Sequence, residues 1–500
     1  MNILLISPPA PRFIIPAAPL GLACLAGALP AHHVQGWDLE AWRWKTAPMT
    51  EANDTVAQAC ALLAQHRPAV VGISVLEDTL EWAVQLGLAA KAAGAVTVAG
   101  GLLPTMLPHC VPGVFDYHVR GHGEAPFAAL LAWLTGDNPT APLPPGVGTS
   151  VHEADIACPA PYAPSQRTIF DAANHPFHYY EARIVSSMGC VHRCAFCANA
   201  LLSGRQWQPL PAADVIAQIV AAWADPHIQQ IAFSDDQFLG FFPSDSLRAL
   251  EILQAAERVT RSRPVRWVLQ ARCDRWLSAL AEVPALGVVL SRMSQAFTAP
   301  AALHMPPVRG ICVDMGVESF LDTRLTGLDK HISAGENIQA LEAAYALDID
   351  VGVYMLPFTY NVTLTELSRE WTLYTRHVLR HTPTLPAFYA FFQELVPYEA
   401  TPLYARIQQL GLLRGNAFAF RDPGAAIFYA LSMAEIASNQ YQSLPLADAV
   451  QRIDALLTLA GMLAQYPPAR KLAHTITCPG NAFAAWYEAL VALLPTMGMA

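Results

Sequence analysis

The chain has 500 residues, enough for two to four domains at roughly 100 to 200 residues each. Hydrophobic residues make up 53% and charged residues only 14%, a balance that supports large buried cores and excludes a disordered chain. Thirty Lys and Arg against 40 Asp and Glu leave a formal charge of −10, which argues against bulk attraction to nucleic acid.

The start, Met1 to Pro9, has no basic n-region and no small-residue cleavage site, so it reads as a buried strand entering a turn. Apolar stretches at 17–29 and 425–434 fall short of the roughly 20 residues that span a bilayer. These features predict a cytoplasmic protein with no membrane span.

Strands are predicted at 2–7, 69–75, 95–99 and 117–120, separated by Ala-rich helices that include 54–66 and 79–93. Continuous apolar strands alternating with helices predict a doubly wound, Rossmann-like α/β domain over 1–135, with ligands at the carboxyl ends of its strands. Residues 136–180 carry Pro139, Pro142, Pro144, Pro145, Pro159, Pro161 and Pro164 and read as a semi-rigid linker. A second series follows over 181–410, with strands predicted near 183–188, 231–234, 265–271, 310–315, 351–355 and 387–394. Six strand–helix units predict a partial (β/α)6 barrel. Residues 411–500 read as a mostly helical C-terminal domain, with helical spacing of apolar residues at 447–463 and 482–494.

Ten cysteines are too few and too unevenly spaced for a disulfide scaffold. Seven stand apart and read as small buried hydrophobes. The other three, Cys190, Cys194 and Cys197, lie within eight residues just after a predicted strand. Thiolates hold cubane iron–sulfur clusters, and three of them occupy three irons while leaving the fourth open to a ligand. Zinc is the competing metal, with His192 as a fourth donor, but closed zinc sites usually pair two knuckles. The next cysteine, Cys273, is too distant in sequence to complete such a set.

Cys190-x3-Cys194-x2-Cys197, with Phe196 before the last cysteine, resembles the signature of the radical S-adenosylmethionine (SAM) superfamily. Gly316-Val317-Glu318-Ser319 is similar to that superfamily's Gly-x-Glu-Ser segment. The run 395–404 is similar to the segment that closes the core in members fused to a cobalamin-binding domain. The resemblance implies a [4Fe-4S] cluster on the three cysteines and SAM on its open iron. It also implies SAM contacts from Ser234, Asp235, Asp236, Arg272, Glu318 and Ser319, with Arg272 as a bidentate partner for the methionine carboxylate. After the fifth strand, the run 355–361 departs from the Gly-Pro-Gly-Glu-Thr turn of many relatives.

In the first domain, Ser74-x-Leu76, Gly100-Gly101 and Gly121-x-Gly123-Glu124 resemble elements of cobalamin-binding domains, where small residues let the backbone approach a bulky cofactor. Asp116-x-His118-x-x-Gly121 spells a cobalt-ligating motif but lies downstream of Gly100-Gly101, so His118 is expected to pack instead. The cobalamin would then be base-off, its lower face near Leu76, Glu77 and Asp78. The histidines 32, 33, 109, 175 and 178 are expected in loops or turns. Phe241-Phe242 and the tryptophans 42, 44 and 207 are expected to pack in the core or at a rim.

The resemblance implies a cobalamin-dependent radical SAM C-methyltransferase acting on a small-molecule metabolite, fed by an electron donor such as flavodoxin or ferredoxin. One SAM would supply the methyl group through cobalamin, and a second would be cleaved at the cluster to a 5′-deoxyadenosyl radical. Two alternatives stay open: a ring rearrangement or cyclisation with the same cofactors, and a non-catalytic cobalamin or redox sensor.

Overall fold

The computed structural model describes all residues except 11–16, 45–49, 137–141, 150–154, 156–166, 171–177, 204, 300–307, 400, 439–440, 442–443, 481 and 498–500. Most of the predicted Pro-rich linker, with His175 and Ala400, lies outside the described residues. The chain forms two compact units, residues 1–191 with 198–234, and residues 192–197 with 235–500.

The first unit opens with β1 (Asn2–Ser7), β2 (His33–Asp38), β3 (Val70–Ser74), β4 (Val96–Gly100), β5 (Tyr117–Val119) and β6 (Val147–Gly148). They form one sheet in the order β2-β1-β3-β4-β5-β6, parallel throughout except for the antiparallel β5–β6 pair. The order reverses between β1 and β3, the switch point of a doubly wound sheet. Helices Ala52–His66 and Leu80–Ala92 fall where the sequence predicts them. Strand β2 does not: His33, expected in a loop, begins it. Its sequence, His-Val-Gln-Gly-Trp-Asp, carries little strand propensity, and pairing with β1 supplies the order instead.

Also in this unit, β7 (Glu181–Ile184) begins the second strand series, followed by β8 (Ser187–Met188), β9 (Gln208–Pro209) and β10 (Gln230–Phe233). β7 pairs with β10 in parallel, and β8 pairs with β9 antiparallel.

The second unit continues the series with β11 (Arg266–Arg272), the short pair β12 (Thr298–Ala299) and β13 (Val308–Arg309), then β14 (Ile311–Glu318) and β15 (Asp350–Met355). β14 pairs in parallel with both β11 and β15. One face of these strands is sealed: Trp267, Leu269, Val313, Met315 and Val317 are all fully buried. The other face carries Gln270, Asp314 and Tyr354, and Tyr354 is 46% exposed.

The expected sixth strand is a correction. Leu385–Ala390 is a helix, and of the predicted strand only Glu394 makes a parallel bridge, to Phe358. Thr384 caps this helix by accepting from the Ala387 N–H, and Pro386 sits in its first turn, a favoured place for proline. Phe388 and Phe391 then pack on Trp371, with ring centroids 5.9 and 5.0 Å away. Aromatic enrichment, read as strand propensity, is here the apolar stripe of a helix.

The C-terminal region is mostly helical, with Pro423–Ala437, Leu446–Leu463, Pro467–Ala473 and Phe483–Val491. It adds a small antiparallel sheet of β16 (Leu413–Arg414), β17 (Ala417–Ala419) and β18 (Thr477–Cys478). Helix Pro423–Ala437 is apolar all round because nearly every residue in it is buried. Among the described residues no single helix is long and apolar enough to cross a membrane, and the one apolar pair, Cys273–Glu282 with Ala285–Gln295, is bent by 111°.

Candidate functional site

The residues expected to hold cobalamin lie at the carboxyl ends of three adjacent strands. Ser74 ends β3, Gly100 ends β4, and Gly121 follows β5. Gly101 has φ +101°, and a Cβ there would stand 3.1 Å from both the Val75 nitrogen and the Val75 oxygen. A side chain at Gly101 would therefore displace the Ser74–Val75 backbone. A Cβ on Gly100, in contrast, would meet nothing within 4 Å. Leu76 is 43% exposed, an apolar side chain presented at the same strand end. Open space over glycine beside an exposed leucine suits a large, partly apolar cofactor, so these residues fit cobalamin.

Thr105 was missed in the sequence, and it joins two of these loops. Its hydroxyl donates to the Gly101 carbonyl at 2.7 Å and accepts from the Gly121 N–H at 3.0 Å. Arg120 adds a bond to the Thr105 carbonyl at 3.1 Å. Gly123 precedes helix Glu124–Thr135, whose first residue is Glu124. His118 is buried inside β5, paired with Ala99 and Gly148, in the packing role expected of it. Asp116, from the same motif, serves the fold: burial raises its pKa, but bonds from Thr97 and Lys91 win and hold the carboxyl below its usual range.

The cysteine loop begins where β8 ends. Gly189 has φ +83°, and a Cβ there would fall 2.2 Å from the Gln206 carbonyl, so only glycine fits before Cys190. Further along, the Cys197 N–H donates to the Cys194 carbonyl at 3.1 Å, forming a tight turn. Ala195, inside that turn, is held on both sides. Its N–H donates to the Leu328 carbonyl at 2.8 Å, and its carbonyl accepts from the Leu403 N–H at 2.9 Å. Leu403 lies in the run that resembles a core-closing segment, so that run braces the cysteine loop directly.

Cys194 is buried, while Cys190 and Cys197 are half-buried. Among the described residues no three His, Cys, Asp or Glu side chains converge tightly enough to hold a single metal ion. A cubane takes one thiolate per iron, and three cysteines are the donor chemistry it needs. The donor set fits the cluster. Burial, then the nearby Arg272 guanidinium, pushes the His192 pKa down to about 4, which keeps its imidazole neutral. Cys273 bonds weakly to the Gly316 carbonyl at 3.8 Å, and burial pushes its thiol up to about 12.

Near Cys194 stand two ion pairs, one half-buried and one buried. The Arg272 Nε and Nη2 donate to the two Asp274 oxygens at 3.0 and 3.1 Å, and Nη2 also reaches the Lys330 carbonyl at 3.0 Å. Lys330 Nζ donates to Glu318 Oε1 at 2.8 Å. Burial alone would lower the Lys330 pKa, but the Glu318 carboxylate overrides it and keeps the ammonium charged. Here the fork expected to clamp the methionine carboxylate clamps Asp274. Only Cys273 lies between that pair, a spacing visible beforehand; nothing local in the sequence pointed to Lys330.

Ser319 bonds elsewhere in the same unit. It is fully buried, and its hydroxyl bonds to the Glu370 carboxylate, which also accepts from the Phe320 N–H at 2.9 Å. Burial raises the Glu370 pKa, partly opposed by Arg324 and by these bonds. The side chain faces the core. Of the other residues expected to meet SAM, Asp235 is buried, Asp236 is half-buried and Ser234 is exposed at the end of β10. The run after β15 lines a cavity of about 40 Å³ with Thr359, Tyr360, Asn361, Arg324, Leu328 and Leu403. That is room for a few water molecules, not for a nucleoside.

Residues 16–131 match the B12 binding domain family. The structure is similar to the cobalamin-dependent S-adenosylmethionine radical enzyme OxsB, solved with aqua-cobalamin and S-adenosylmethionine bound. That likeness has 15% sequence identity and a TM-score of 0.65, and covers 100% of this chain and 76% of that one. It is also similar to the radical S-adenosylmethionine methyltransferase TsrM from Kitasatospora setae, solved with tryptophan substrate and a SAM analogue. Here the identity is 15% and the TM-score 0.56, over 82% of this chain and 77% of the other. The chain has the fold of the cobalamin-dependent radical SAM enzymes. The resemblance read from the sequence thus holds at the level of fold, with a B12-binding domain followed by a partial barrel and a helical C-terminal region. No curated protein matches it in sequence.

Proposed function

We propose that this protein is a cobalamin-dependent radical SAM methyltransferase that places a methyl group on an unactivated carbon of a small-molecule metabolite. The observation that carries this reading is the three-cysteine loop, braced through Ala195 by Leu328 and Leu403, in a chain that also has a B12-binding domain. When bound, the cluster with SAM would supply a carbon-centred radical, and cobalamin a methyl carrier. Cys190, Cys194 and Cys197 would hold the cluster, leaving one iron for SAM. Ser74, Leu76, Gly100, Gly101, Gly121, Gly123 and Glu124 would hold cobalamin at the carboxyl ends of β3, β4 and β5. Ser234, Asp235, Asp236 and Glu318 would contact SAM, Glu318 from within its ion pair with Lys330, and Ser319 would position the strand end behind Glu318.

A low-potential donor of the flavodoxin or ferredoxin kind would supply the electron in a cytoplasmic setting. The test uses anaerobically reconstituted protein with cobalamin, SAM, a reductant and candidate substrates. 5′-Deoxyadenosine and S-adenosylhomocysteine are measured together in wild type and in Cys194→Ala. The reading requires both products in wild type, no deoxyadenosine in the variant, and S-adenosylhomocysteine that depends on cobalamin. Neither product from the fully loaded protein would overturn it.

A second reading keeps the cofactors and transfers no methyl group. The likenesses to OxsB and to TsrM, each at 15% identity, show the fold alone and accommodate either outcome. Deoxyadenosine without S-adenosylhomocysteine would select this second reading.

A further inference from the structure

Cys194 is the buried member of the cysteine triad, 7% exposed, and Arg272 reaches its sulfur. Arg272 Nη1 stands 3.6 Å from Cys194 Sγ, within hydrogen-bond reach of a sulfur acceptor. The rest of the guanidinium cannot swing away. Asp274 holds Nε and Nη2, the Lys330 carbonyl holds Nη2 again, and the Gln237 side chain accepts the Arg272 backbone N–H at 3.4 Å. Arg272 itself is 6% exposed, so its charge acts through protein and not through water.

We propose that Arg272 is a cluster-tuning residue: it donates an N–H to the Cys194 thiolate and raises the reduction potential of the cluster bound there. The proposal rests on the cluster reading given above. Hydrogen bonds to cluster sulfurs and exclusion of solvent are two of the levers that set such potentials. The sign follows from charge. One-electron reduction adds one negative charge to the cluster and its thiolates, and a fixed cationic donor stabilises the more negative state more strongly. Asp274 aims the guanidinium and partly neutralises it, so the directional N–H···S bond carries much of the effect.

The experiment is an EPR-monitored redox titration, with dithionite as the source of the electron, on the full chain reconstituted with iron and sulfide and without SAM. Wild type is compared with Arg272→Gln and Arg272→Lys at equal iron and sulfide content. Arg272→Gln is expected to lower the reduced-to-oxidised ratio at a fixed potential about tenfold, a midpoint about 59 mV more negative for a one-electron couple. Arg272→Lys keeps the charge but not the fork and is expected in between. A fully loaded Arg272→Gln protein with the wild-type midpoint overturns the proposal. If that variant also binds SAM more weakly, Arg272 returns to the carboxylate role. Where Arg272→Gln takes up no cluster, Arg272→Lys is read instead, and a wild-type midpoint there overturns the proposal. A purely structural Arg272 would change thermal stability and leave the midpoint in place. A wild-type chain that takes up no iron and sulfide overturns the cluster reading itself, an outcome distinct from an unmoved midpoint.

Discussion

Lys330 and Glu318 form an ion pair at 2.8 Å with side chains only 5% and 9% exposed, and Glu318 holds a left-handed backbone, φ +62°, to make it. The pair fills the space above Gly316, where a Cβ would meet Glu318 Oε1 at 2.8 Å and Lys330 Nζ at 2.9 Å. Removing one partner leaves a buried charge uncompensated, which costs about 3–5 kcal/mol. Lys330→Met is therefore expected to lower unfolding stability by that amount. Adding Glu318→Gln to it should restore most of the loss, as urea denaturation of the single and double variants will read.

The two adjacent glycines after β4 are expected to separate folding from cofactor binding. Gly101→Ala forces a Cβ against the Val75 backbone at a positive φ and should cost about 1–3 kcal/mol of stability. Gly100→Ala meets open space, so its stability should stay within about 0.5 kcal/mol of wild type. If cobalamin occupies that space, Gly100→Ala still weakens cobalamin binding measured by absorbance titration. Unchanged binding would place the cofactor elsewhere.

Ser319 should prove structural. Ser319→Ala removes a partner from the fully buried Glu370 and is expected to cost about 1–3 kcal/mol in denaturant. SAM affinity, measured by equilibrium dialysis on the cluster-loaded protein, should not change. A large loss of affinity without loss of stability would restore the ribose contact expected from the sequence.

Asp38 makes the fold sensitive to pH. Burial raises its carboxyl to about 7, against the lowering effect of bonds from the Ala41 N–H, Tyr179 and the Glu40 N–H. The folded pKa lies above the ordinary value of 3.8, so the fold favours the protonated form. Its stabilising contribution is full below pH 3.8 and is lost as pH rises toward 7, about 4 kcal/mol at most. Asp38→Asn keeps the helix cap and removes the titration. The stability difference between wild type and Asp38→Asn is expected to move against wild type between pH 5 and pH 8, measured from urea midpoints.

Most strands were legible because their signal is local. Val-Val-Gly-Ile-Ser reads as a buried strand wherever it occurs, and β3 forms there. β2 was not legible, because an edge strand with glutamine and glycine takes its order from its neighbour β1. The aromatic run near 388–392 misled for the opposite reason. Its side chains satisfy a strand pattern and a helix stripe equally, and the Thr384 cap with Trp371 across the interface selects the helix.

The sequence by itself determined the chemistry on offer: three thiolates at spacings of four and three, and small residues at the ends of strands in a doubly wound domain. These are short-range patterns, and the local backbone realises them without outside help. Only the tertiary structure decided which charges meet those groups. Arg272 lies 78 residues from Cys194 and Lys330 lies 12 from Glu318, and no periodicity announces either contact. Ser319 carried the right motif and still turned to Glu370, because a buried carboxylate needs a donor more than an exposed ligand site needs a hydroxyl.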